Sequence, residues 1–193
     1  MRPLLFLMIT LGLTLRAAEI PLDDKTIVPG VRVGPIEKGM TLFGLKSLLG
    51  ADKVKPTKIP GAEGEELNGV RLFAGTDREL EILFNEEGSE KEIWDLRILG
   101  KGWKFSNGLK LGLGIAELEK INGKPFKVSG FEWDYGGWCD FTGGTLEGKV
   151  SVRLSPVGDS TDESLMGDQQ IPTTNKKLRA AKVAVTDISV IFR

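Results

Sequence analysis

A twelve-residue pattern occurs twice, and it constrains the fold more than any other feature of the chain. Residues 39–50 and 112–123 both read G-Φ-x-Φ-x-x-L-x-x-Φ-x-G, with Φ apolar, the second copy beginning 73 residues after the first. Each copy predicts a short capped helix. Thr41 is placed to accept a hydrogen bond from an otherwise unpaired N–H of the first turn, and Gly114 holds the same place without a side chain. Met40 with Leu45, and Leu113 with Leu118, have the spacing of a hydrophobic staple. Glu117 sits in the first turn, where the helix dipole favours negative charge. Gly50 and Gly123 suit the left-handed residue that ends a helix, and Pro125 blocks extension of the second. Leu42, Leu45, Leu48 and Leu49 form one apolar stripe, and Ile115, Leu118 and Ile121 the other. Helices this short are unstable alone in water, so each stripe needs an apolar platform.

Alternating segments downstream supply it. Residues 70–73 and 79–84 flank a Gly-Thr-Asp turn and read as a hairpin, with 93–98 as a further strand. After the second helix, 126–128, 131–135, 149–154 and 183–192 read as strands, the last with Ile188, Val190 and Phe192 on one face. Helix-then-strands, twice, predicts an α+β fold of two tandem short-helix-plus-antiparallel-sheet repeats, at 19–100 and 101–193. The second repeat contains a long polar loop at 155–173, then a short helix over 174–181 capped by Thr174. The Asp-Ser-Thr-Asp-Glu run at 159–163 lacks the Gly and distal Glu of a calcium loop and reads as a solvated turn.

Residues 1–18 read as an address rather than fold. Arg2 is followed by an uncharged apolar run at 3–15, then by Ala17 and Ala18. The run is shorter than the roughly 20 residues of a membrane span and fits a secretory signal peptide, with cleavage expected near Ala18. A secreted or periplasmic location without a membrane span follows. Cleavage would remove Arg2 and Arg16 and move the formal charge from −1 to −3.

Residue types narrow the chemistry. The chain has 26 basic and 27 acidic residues, a balance that gives no electrostatic footprint for nucleic acid. It has no histidine and one cysteine, Cys139, which removes histidine bases, disulfides within the chain and cysteine metal clusters. Cys139 lies beside Asp140 with no histidine to activate it, and reads as structural. Gly143 and Gly144 lack the lysine of a phosphate loop. No catalytic residue, cofactor or metal is assigned, and the chain is read as non-enzymatic.

One segment concentrates candidate function. Residues 131–141, FEWDYGGWCDF, hold five of the fourteen aromatic residues. On a strand, Phe131, Trp133 and Tyr135 would share one face and Glu132 and Asp134 the other, with Gly136-Gly137 permitting a turn before Trp138. Exposed, Phe131, Trp133, Tyr135 and Trp138 would make a partner-binding patch, because aromatic side chains bury much area at low entropic cost. Three other readings stay open. The aromatics are simply core, or they stack a sugar, or Glu132 or Asp134 forms a hydrolytic pair with Asp140 at the ~5–10 Å such enzymes use. A structural envelope component is the remaining alternative.

The Gly-Met-Thr…Leu…Leu-x-Gly helix at 39–50, followed by a hairpin and repeated once, resembles the β-lactamase-inhibitory-protein fold and the SmpA-type small lipoproteins. The resemblance implies short helices against antiparallel sheet and a non-enzymatic module that binds another envelope or secreted protein by a sheet face or its loops. The chain departs from both families: one cysteine supplies no disulfide, and none follows the signal to carry a lipid. Residues 122–126 and 130–137 are also similar to a stretch of uncharacterised bacterial secreted proteins, which implies no activity.

Overall fold

Both repeated segments fold as helices, α1 (Leu42–Leu49) and α2 (Ile115–Asn122), each of eight residues. Thr41 accepts from the Gly44 N–H at 3.2 Å. At α2 the N-cap is Gly114, whose N–H donates to the Glu117 side chain at 2.9 Å. Gly123 ends α2 in the left-handed region, at φ 78°. Leu45 and Leu118, the staple residues inside each helix, are both fully buried. The structure, a computed structural model, describes residues 20–85, 91–158 and 162–192; the signal peptide expected at 1–18 lies outside the described residues, as do three residues of the 159–163 run.

Before α1 come three short strands, β1 (Thr26–Val28), β2 (Arg32–Val33) and β3 (Ile36–Glu37). After α1 the chain runs through β4 (Pro56–Pro60), β5 (Glu66–Leu72), β6 (Leu80–Phe84) and β7 (Ile93–Ile98), each antiparallel to the next. A connecting strand, β8 (Lys104–Phe105), pairs in parallel with β1. After α2 come β9 (Lys127–Ser129), β10 (Cys139–Asp140), β11 (Val150–Pro156), β12 (Gln170–Pro172), the helix α3 (Lys176–Ala180) and β13 (Val183–Ile191).

One six-stranded antiparallel sheet, in the order β11-β13-β7-β6-β5-β4, takes strands from both halves of the chain. A three-stranded sheet, β10-β9-β12, adjoins it. The two meet where Trp138 bridges Arg153 and the Leu154 N–H donates to the Gly137 carbonyl at 2.8 Å. The chain is therefore α+β, with antiparallel pairing in its main sheet.

Ladder partners share a face of the sheet, which fixes its two sides. Val70, Ile82, Leu96, Val190 and Val150 form a row across five strands, and all are buried. The helices cover this face in two adjoining cores. Leu45 packs in one with Val70, Ile82, Leu96 and Val190; Leu118 packs in the other with Val150, Val152 and Leu154. Strand β13 runs through both, giving Val183, Val185 and Ile188 to the second core and Val190 to the first, where Phe192 just beyond the strand joins it. The opposite face carries a different row: Arg71, Glu81, Arg97, Ser189 and Ser151.

Three expectations are corrected. Residues 131–135 are not a strand: Glu132 sits at φ 62°, and the Gly136 N–H turns back to the Trp133 carbonyl at 2.9 Å. Period-two alternation cannot pass through a left-handed residue and a tight turn. The polar stretch at 155–173 is not one long loop, because β12 within it hydrogen-bonds to β9 while Leu165 and Ile171 enter the core. The cap of α3 is Asn175, not Thr174; its side chain accepts from Lys177 and Leu178 N–H groups.

Candidate functional site

The polar row on the sheet face opposite the helices is the floor of the site. Two loops rise over it: the β4–β5 turn at 61–65 and the β9–β10 connection at 130–138. An arginine from the floor holds each. Arg97 on β7 donates to the Pro60 carbonyl at 2.6 Å, and Arg153 on β11 donates from Nε to the Gly136 carbonyl at 2.7 Å. The loops touch where the Tyr135 hydroxyl donates to Glu63 at 3.4 Å. Beneath them lies a cleft of about 650 Å³, lined by Glu81, Asp95, Arg97, Asp134, Tyr135, Trp138, Arg153 and Asp187, with Leu99 and Leu111 among its apolar members.

A bulge shapes the floor. Arg153 pairs with Asp187 but its neighbour Leu154 pairs with Val185, so Thr186 is the extra residue of β13. Bulges re-aim side chains in this way. Val185 and Ile188 both stay in the core, while Thr186 and Asp187, adjacent in sequence, both line the cleft. The Thr186 hydroxyl donates to Asp187 at 2.8 Å.

The aromatic candidates divide. Tyr135, 43% exposed, and Trp138 line the cleft, and the Arg153 guanidinium lies 5.9 Å from the Trp138 ring centre. Trp133 does not line it. Its indole N–H donates to the Gly130 carbonyl at 2.8 Å and its ring meets Tyr135 edge-on at 5.4 Å, so it buttresses the loop from behind. Phe131 is 3% exposed and packs in the second core, so the expectation of a surface role for it is corrected. The left-handed backbone at Glu132 separates Phe131 below from Tyr135 above.

The acidic candidates do not all line one depression. Asp134 lines the cleft, and a shallower depression beside it is lined by Phe131, Glu132, Trp133 and Asp134, with Gly136 and Pro156. Asp140 lines neither; its carboxylate accepts from the Thr142 N–H and hydroxyl, which holds its pKa below the ordinary value. At Cys139, burial pushes the thiol far up, and burial rather than the neighbouring acid is the cause. Among the described residues, no cluster of three or more His, Cys, Asp or Glu is arranged to hold a metal ion, and no helix is long and apolar enough to cross a membrane.

The cleft residues that sequence reading missed are Glu81, Arg97, Arg153 and Asp187. Their signal was present as the polar members of alternating strands, but alternation alone marks a face as uncovered, not as roofed by loops. No family model, no curated protein and no solved structure matches the chain significantly.

Proposed function

We propose that the protein is a non-enzymatic binding module that grips another protein by the roofed cleft on the sheet face opposite its helices. One observation carries this reading: two loops from distant parts of the sequence are anchored over the same sheet face and place Tyr135 and Trp138 in one cleft. Partly exposed aromatics on a rigid support are what protein hot spots use. The support here is firm, because each loop is tied to the floor by an arginine and Tyr135 is backed by Trp133.

The same reading extends to architecture and setting. The orders α1-β4-β5-β6-β7 and α2-β9-β10-β11-β13 correspond, which supports two copies of one helix-plus-meander unit joined through β7 and β13. In that scheme β12 and α3 are an insertion in the second copy. The signal-like residues 1–18 support action outside the cytoplasm, in the periplasm or medium.

Affinity capture from envelope and secreted fractions tests the binding surface, with Tyr135→Ala and Trp138→Ala as the informative variants. Loss of at least tenfold of the captured partner by either variant, with helix and sheet content retained by circular dichroism, is expected. Equal capture by wild type and both variants would exclude this surface.

A further inference from the structure

The chemistry of the cleft points to the kind of group it receives. It carries four carboxylates, Glu81, Asp95, Asp134 and Asp187, against two guanidiniums, Arg97 and Arg153. Each arginine donates to a main-chain carbonyl, Pro60 at the end of β4 and Gly136 in the second loop, and keeps its positive charge, so the carboxylates exceed the guanidiniums by two. Glu81 is compensated, lying 3.3 Å from Arg71 and 3.9 Å from Arg97. Asp134 and Asp187 form no ion pair among the described residues. The field at the roof has the same sign. Glu63 first, with burial and then Glu65 and Asp134 adding, pushes the Tyr135 phenol above its ordinary value. An acidic cleft with low-dielectric walls concentrates cations, and aromatic faces add to their attraction.

Resting on the binding reading above, we infer that the cleft receives a basic side chain, lysine or arginine, carried on a loop of the protein partner, with its charge between Asp134 and Asp187 and its stem against Tyr135 and Trp138. A neutral or acidic side chain lacks the charge complementarity. A basic one meets two exposed carboxylates that form no ion pair among the described residues, beside the faces of Tyr135 and Trp138.

The test is a titration of the intact protein with short peptides blocked at both ends. One contains arginine, one lysine, and one citrulline, the uncharged isostere of arginine; tryptophan fluorescence and calorimetry report binding. The arginine or lysine peptide is expected to bind at least about tenfold more tightly than the citrulline peptide, with the advantage shrinking as salt is raised. Asp187→Asn and Asp134→Asn should each lower that affinity several-fold without moving the unfolding midpoint by more than a few degrees. Equal binding of the citrulline peptide, indifference to both substitutions, or absence of binding by any peptide overturns the charge inference. The capture experiment with Tyr135→Ala and Trp138→Ala is independent of these outcomes: if it alone succeeds, the surface binds a partner by other chemistry.

Discussion

The half of the molecule built on α1 and the half built on α2 meet the same structural requirements by different means. In the first, β4 is an edge strand of the main sheet, with proline at both ends and Lys58 between, and such residues discourage further pairing. In the second, β9, the first strand after α2, is covered by β12, which follows β11 in the chain. The helices differ likewise. A threonine hydroxyl caps α1, whereas a glutamate reaching back to its own N-cap serves α2. The second half also has a polar clasp. Buried Thr173 accepts from the Phe126 N–H at 3.2 Å and donates to Glu119, which receives Arg179 from α3 through both its oxygens at 2.6 Å. The lesson is that two short helices can each be seated on a buried core while the strands and caps at their margins are built differently.

If that is so, Leu45→Ala and Leu118→Ala should have the largest effects and similar ones. Each side chain is fully buried, so each variant is expected to lose about 2–5 kcal/mol. Because β13 contributes to both cores, both variants should lower one shared unfolding transition in denaturant. Two separate transitions would break the comparison by showing that the halves unfold independently. Next in size is Thr173→Val, which leaves the Phe126 N–H without its acceptor inside the second half. A loss of about 1–3 kcal/mol is expected, read from the same denaturation curves. A neutral result would show the clasp to be ornamental to the second core. Smallest are the caps: Thr41→Ala should lose about 1 kcal/mol and Glu117→Ala about 0.3–1 kcal/mol. A reversed order would mean that α2 depends on its glutamate more than α1 on its hydroxyl.

What the sequence disclosed and what it hid separate by the range of the interactions involved. The helices at 42–49 and 115–122 were readable because caps, staples and terminal glycines act within a dozen residues. Strands β5, β6, β7, β11 and β13 were readable from alternation. By contrast, β1 pairs in parallel with β8, Thr26 and Ile27 lying beside Lys104 and Phe105, nearly eighty residues away, and no pattern within residues 26–28 declares that pairing. Strand β12 was hidden similarly: it is short, sits in polar surroundings, and pairs with β9. At the site, composition flagged Tyr135 and Trp138 but misplaced Phe131, since aromatic density resembles a strand until backbone geometry at Glu132 intervenes. Arg97 and Arg153 were invisible as loop anchors because their acceptors are main-chain carbonyls, which no residue type announces.

The extra residue in β13 has a consequence for how such a molecule can diversify. On an unbroken strand, trading one group on the working side for another through a length change would turn every later side chain inside out. Here the irregularity at Thr186 already absorbs a shift of one position, so Val183 and Val185 before it and Ile188 and Val190 after it stay inward together. Two successive positions are thereby freed from any packing duty, and the chemistry offered to a visitor can be rewritten there while the interior keeps its arrangement.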